Sequence, residues 1–255
     1  MAVYQADALV IRSREYGESD RLLTLFARES GKLQAVAKGV RKPTSRQRAG
    51  AQLFTYADFL LHRGRTLDTV TQASPRESFP HLWNDLDRTL AATAIAELLD
   101  AATVREEPQP HLFTLTLTCF FMLAEVHPFL VQSLFALRLL EILGYSPRLE
   151  ECAECGALIQ GERVFFSPEA GGTVCSSCRG TLSGRTLSQG TLAFMRRLAQ
   201  AEWAKVKRLR WPVWMEQEVR RALQQYCEEK FEHNLRSWRM GNEIGGEGIN
   251  NQREG

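Results

Sequence analysis

The chain has 255 residues, 44% hydrophobic and 24% charged, an ordinary composition for a globular protein and enough length for two domains or one domain with an appendage. The formal charge of +2 hides an uneven distribution. Residues 1–80 carry thirteen Lys/Arg against eight Asp/Glu (+5), residues 81–150 four against nine (−5), and residues 151–255 fifteen against thirteen (+2). This rules out a uniformly polycationic chain and leaves the N-terminal third as the candidate polyanion surface. No repeat of twenty to fifty residues is evident, and only the tail, Gly241 to Gly255, has the Gly, Asn and Glu content of a disordered segment.

The first eighty residues read as short strands. Ala8 to Ile11, Leu22 to Phe26, Leu33 to Ala37, Phe54 to Leu61 and Leu67 to Val70 are apolar or alternating runs. The turn signals that bound them include Tyr16-Gly17-Glu18-Ser19-Asp20, Ser30-Gly31-Lys32 and Arg63-Gly64-Arg65. Five strands linked in this way suit a small barrel of the OB type. Between the third and fourth strands, Lys38, Arg41, Lys42, Arg46 and Arg48 place five cations in one stretch without an acid. Taken alone, such a run reads as a solvated loop. On a barrel suited to oligonucleotides it becomes a set of phosphate contacts, with Gly39, Thr44, Ser45 and Gln47 leaving room for further donors. Arg14, Arg63 and Arg65 extend the candidate surface.

After Ser74-Pro75 the period becomes helical. Leu82, Leu86, Leu90, Ile95, Leu98 and Leu99 predict a helix from about Asn84 that ends before Glu106-Glu107-Pro108. Asp85 and Asp87 fit the acidic first turn of that helix better than a catalytic pair. The most apolar region, Leu112 to Leu143, is interrupted by Glu125 and His127-Pro128, so it predicts two buried helices joined by a Pro turn and no membrane span. The second of these opens at Pro128 and closes near Gly144. Further on, Ser188 is placed to cap a helix through Leu192, Met195 and Leu198 toward Trp203. Val219 through Trp238 predicts one long amphipathic C-terminal helix. Arg196 and Arg197, with Lys205 to Arg210 beside Trp203, Trp211 and Trp214, form a second basic cluster. Aromatics beside cations can stack on bases, but more often they anchor a helix to a core.

Between these helices stand Cys152-Ala-Glu-Cys155 and Cys175-Ser-Ser-Cys178, nineteen residues apart. Two such knuckles supply the four thiolates of a tetrahedral zinc site. Redox dithiols, an iron–sulfur cluster or two disulfides would use the same residues. The N-terminus, however, does not read as a secretory signal and no Asn-x-Ser/Thr acceptor occurs, which fits a cytosolic protein without disulfides. A four-cysteine zinc has no open position for water, so it argues for structure and against metal catalysis. Residues 151–180 contain few large apolar side chains, and a metal would supply the stability they lack. Cys119 and Cys227 sit among apolar neighbours and read as buried small hydrophobes.

No Gly-x-Gly-x-x-Gly, Gly-x-x-x-x-Gly-Lys-Ser/Thr or Gly-x-Ser-x-Gly is present, and the five histidines are scattered, so the catalytic signals looked for are absent. A zinc hydrolase would need an open metal site. A zinc-module adaptor in transcription or another nucleic-acid process would bind proteins without contacting DNA.

Tyr16 to Thr24, Gly31 to Arg41, Leu139 to Pro147, Cys152 to Gly156 and Gly171 to Cys178 together closely resemble the bacterial RecO family of recombination mediators, over roughly Ala6 to Ser237. The resemblance implies an α+β multidomain chain. An OB-fold barrel (1–80) would precede a helical domain (81–150 and 181–240) with an inserted four-cysteine zinc module (151–180), and a disordered tail (241–255) would follow. It implies binding of single- and double-stranded DNA, annealing of complementary strands, and work with RecR, RecF and single-strand-binding protein to load RecA. One structural Zn2+ would be held by Cys152, Cys155, Cys175 and Cys178.

Overall fold

The computed structural model describes residues 2–240; the tail expected to be disordered, 241–255, lies outside them. The chain divides into two compact units, Met1–Ala92 with Leu99–Ala124 and Thr93–Leu98 with Glu125–Gly255.

The first unit is built on five strands, β1 (Val3–Tyr16), β2 (Asp20–Ala27), β3 (Gly31–Ala37), β4 (Tyr56–His62) and β5 (Asp68–Glu77). They close in the order β1-β2-β3-β5-β4, with β3 parallel to β5 and the other pairs antiparallel. This is the expected OB-like barrel. Closure depends on the length of β1, which pairs with β4 over Val3–Leu9 and with β2 over Ala8–Tyr16. Only its middle, Ala8 to Ile11, where pairing passes from β4 to β2, is continuously apolar, which is why a hydrophobic run marks four of its fourteen residues. A register shift between Val10 and Arg12 bends the strand from one partner to the other.

The barrel interior alternates small and large side chains across paired positions. Ala8 lies opposite Ala27 and Ala57, Ala6 opposite Phe59, and Ala35 opposite Leu23, all buried. A five-stranded barrel is narrow, and the alanines leave room for Phe59 and the leucines. Outside, Phe26 and Tyr56 meet Phe113 of α2 (Pro110–Met122) at 6.4 and 5.8 Å between ring centroids. Phe54 packs at 5.5 Å on Phe120. The helix from about Asn84 is α1 (Leu86–Ala102), and Asp85 is its N-cap, accepting the Arg88 N–H at 3.0 Å. Lys32 on β3 bonds both the carbonyl and the carboxylate of Asp100 in its last turn.

The second unit centres on α3 (Pro128–Ile142), which is buried on nearly all sides from Phe129 to Leu140. That burial accounts for the strongly apolar composition of the helix, and no helix of the described residues is long and apolar enough to cross a bilayer. Against α3 pack α4 (Gln189–Ala199) and α6 (Val213–Phe231), with the short α5 (Trp203–Val206) between them. Ser188 caps α4 as expected, accepting the Thr191 N–H at 3.1 Å. The single long C-terminal helix is corrected by the structure. α6 stops at Glu232, which is left-handed (φ 48°), and helix resumes only at 236–240. The Glu97 carboxylate receives the Arg236 and Ser237 N–H groups and so caps this last turn, while Trp238 is buried with its indole N–H on the Ala94 carbonyl. The small sheet β7-β6-β8 comprises β6 (Arg163–Ser167), β7 (Gly172–Val174) and β8 (Arg185–Ser188). Its strands, of five, three and four residues, are too short to show a period in the sequence.

Candidate metal centre and nucleic-acid interface

The two Cys-x-x-Cys pairs fold as matching knuckles. In the first, the Gly156 N–H returns to the Cys152 carbonyl at 2.9 Å; in the second, the Cys178 N–H returns to the Cys175 carbonyl at 3.1 Å. Strand β7 delivers the second pair, and its position is fixed by Arg148: the Arg148 N–H bonds the Gly171 carbonyl and the Arg148 carbonyl accepts the Thr173 N–H. A Cβ at Gly172 would lie 2.2 Å from the Arg148 carbonyl oxygen, so this approach needs glycine. The Thr173 hydroxyl bonds the carbonyls of Arg148 and Glu151, and the Ala153 N–H bonds the Thr173 carbonyl, tying one knuckle to the other.

All four Sγ atoms lie within 4.8 Å of one another, and those of Cys155 and Cys175 are 3.8 Å apart. Four sulfurs each about 2.3 Å from a central zinc stand about 3.8 Å apart, so the cage fits a tetrahedral ion. The same spacing is far above the roughly 2 Å of a disulfide, and all the cysteines are free. The electrostatics prepare the site for a cation. Burial raises the Cys152 thiol, but backbone donors from Cys155, Cys175 and Glu154 outweigh it and lower the group to about 6. Cys178, bonded to the Cys175 and Cys155 sulfurs, is pushed up to about 12. A divalent cation removes this conflict by favouring thiolate at every position. The apolar support is slight: Cys152, Phe165 and Val174 are the buried members, with Ile159, Ala170 and Leu182 at the edge. Cys119 and Cys227 lie apart, buried, with thiols raised by desolvation.

The cation-rich loop after β3 is anchored at several points. Val40, Ala51 and Phe54 are buried, the Gln47 amide donates to the Thr71 carbonyl at 2.6 Å, and a ladder of turn hydrogen bonds runs from Lys42 to Ala51. Its first residues are stitched to the β1–β2 hairpin. The Asp20 carboxylate accepts the Gly39 N–H at 2.7 Å, and the Ser19 carbonyl accepts the Arg41 N–H at 2.9 Å. The five cations therefore divide. Arg41 is engaged, pairing with Glu15 at 3.0 Å and donating to the Glu18 carbonyl. Lys38, Lys42, Arg46 and Arg48 are exposed and make no ion pair among the described residues. The hairpin contribution could have been suspected from Tyr16-Gly17-Glu18-Ser19-Asp20, whose acids are otherwise unusual beside a cationic surface.

Of the remaining candidates, Arg14 is exposed on β1 and Arg65 on the β4–β5 loop, while the Arg63 guanidinium lies 5.0 Å from the Tyr4 ring. That loop is closed by Asp68, which accepts the Tyr4 hydroxyl and the Gly64 N–H. Arg196 and Arg197 belong to the second unit and line a cavity of 660 Å³ with Lys205 and Arg208, members of the second basic cluster read from the sequence, and with Glu150, which that cluster did not include. Trp211 is not a free platform: it packs on Phe129 at 5.4 Å and its N–H bonds Glu216. Trp203 and Trp214 are about half exposed.

Two family models account for nearly the whole chain. "Recombination protein O N terminal" matches residues 1–79 and "Recombination protein O C terminal" residues 84–239. Curated relatives agree. A "DNA repair protein RecO" of Desulfitobacterium hafniense (strain Y51) is 62% identical over 248 residues, 96% of this chain and 91% of the relative. Proteins of that name from Heliobacterium modesticaldum and Moorella thermoacetica are 44% identical over 250 residues (96% and 91% of the two lengths) and 36% over 249 (97% and 93%).

Proposed function

The chain belongs to the recombination protein O family, and on that premise we propose that it is a DNA-binding recombination mediator of RecF-pathway repair that acts without covalent chemistry. It binds single- and double-stranded DNA through residues 1–80, anneals complementary strands, and helps RecA load at gaps coated by single-strand-binding protein, with RecR and RecF as partners. The observation that carries this reading is the loop of Lys38, Lys42, Arg46 and Arg48: four exposed cations, free of ion pairs among the described residues, on a loop fastened to an OB-like barrel. Unpaired cations on a fixed frame can neutralise phosphates of two strands at once, which lowers the repulsion that slows their pairing and releases counterions. Base sequence is then read by the strands themselves. Arg14, Arg63 and Arg65 extend the surface. Arg196 and Arg197 supply a subsidiary one in the helical unit.

The metal is assigned to the module 151–180. Cys152, Cys155, Cys175 and Cys178 would hold one Zn2+, which in a closed set of four thiolates supplies cross-linking and no catalysis. A cytoplasmic, nucleoid-associated site of action goes with this role.

The test is a titration of labelled single- and double-stranded oligonucleotides at several salt concentrations, followed by strand annealing. Affinity that falls steeply with salt, together with accelerated annealing, is expected. Salt-insensitive or absent binding would instead favour an adaptor that contacts only proteins.

A further inference from the structure

The hairpin that holds the cationic loop carries one residue that the electrostatic account does not use. Tyr16 ends β1 and is 46% exposed. Gly17, at φ +64°, turns the chain immediately after it. The register of β1 and β2 places Tyr16 opposite Asp20, the residue whose carboxylate holds Gly39 of the loop. Arg14, two residues back and hence on the same face of the strand, is exposed and unpaired among the described residues. This face is the outer one, because the intervening row, Ser13 opposite Leu23 opposite Ala35, points into the barrel.

Every other tyrosine is occupied. Tyr4 bonds Asp68, Tyr56 bonds Asp7, Tyr226 bonds the Tyr145 carbonyl, and the Tyr145 ring meets Phe231. The other exposed aromatics of the first unit also have ring partners, Trp83 on Phe54 and Phe121 on Phe79. Tyr16 alone in that set offers a ring face and a hydroxyl with no partner among the described residues. We propose that Tyr16 is a stacking platform for an unpaired nucleobase, set beside the cationic loop so that a strand held by its phosphates lays a base on the ring. A duplex cannot use the platform, since its bases already stack on one another, so Tyr16 gives this face a preference for single strands.

The inference rests on the nucleic-acid reading, and one experiment separates the two. Binding of oligo(dT) and of a blunt duplex is measured across a salt series for the wild type, Tyr16→Ala, Tyr16→Phe and the Ala variant of Lys38, Lys42, Arg46 and Arg48. Tyr16→Ala should weaken oligo(dT) binding at least about fivefold at every salt with an unchanged salt slope, because stacking releases no counterions. Tyr16→Phe should keep wild-type affinity, and duplex binding should be the same in the wild type and both Tyr16 variants. Unchanged oligo(dT) affinity, an equal loss on duplex, or a lower slope in Tyr16→Ala overturns the platform while the loop variant still reports on the nucleic-acid reading. If the wild type binds neither DNA, that reading falls and the platform with it.

Discussion

The barrel and the cysteine module solve the same problem by opposite means. The barrel closes a sheet on itself, fills the narrow interior with alanines and leucines, and covers part of its outside with Phe113 and Phe120. The module has three buried members in its own cluster and ties its strands to a cage of four sulfurs. One region rests on apolar area; the other has little of it and instead brings four thiols to the spacing of a metal cage. A frame with its own apolar core can carry uncompensated charge in a loop, as the barrel does at Lys38, Lys42, Arg46 and Arg48.

The largest effect expected from this contrast is in the module. Replacing Cys152 and Cys175 with Ser should remove the metal and most of a stabilisation that reaches on the order of 10 kcal/mol in small zinc modules. Limited proteolysis should then open residues 151–180 while the barrel's β-sheet circular dichroism and its DNA affinity per folded molecule persist. Metal analysis of protein purified without chelator should find one zinc per chain. Its absence would remove the site.

Phe113→Ala should act in the opposite way, costing about 3–5 kcal/mol of stability in the barrel unit whether or not metal is present. If a chelator and this substitution destabilised the same residues in hydrogen exchange, the division into two kinds of support would fail.

Acid should also separate the regions. The Cys152 thiol is lowered to about 6, so its thiolate contributes stability that is full above the unfolded thiol's pKa of about 8.5 and is lost as pH falls toward 6. In metal-free protein the stability of the module should fall over that window, and the far-ultraviolet signal of the barrel should not follow it.

A smaller effect is expected from the loop. Alanine at Lys38, Lys42, Arg46 and Arg48 should reduce the salt slope of DNA binding by about one unit for each true phosphate contact and leave thermal stability nearly unchanged. Arg41→Ala should do the reverse, costing at most about 1 kcal/mol of stability with less change in slope, since Arg41 already pairs with Glu15.

Much of this molecule is local and was therefore legible. The Cys-x-x-Cys spacing, the Ser188 cap, the break at His127-Pro128 and the apolar runs of the barrel strands each depend on neighbours within a few residues. So did the family resemblance, which rests on contiguous segments such as Gly31 to Arg41. Other features depend on partners distant along the chain. Nothing near Arg41 distinguishes it from Lys42; Glu15 does, from the other side of the hairpin. Nothing near Trp238 shows that the C-terminal helix must break, because the cap that restarts it is Glu97, about 140 residues earlier. By itself the sequence determined which residue types are available, a cysteine cage, a barrel's alternation and a cationic loop. Only the tertiary structure decided which cations are already paired and which ring is left free, because charge pairing and exposure are set by what the fold brings alongside.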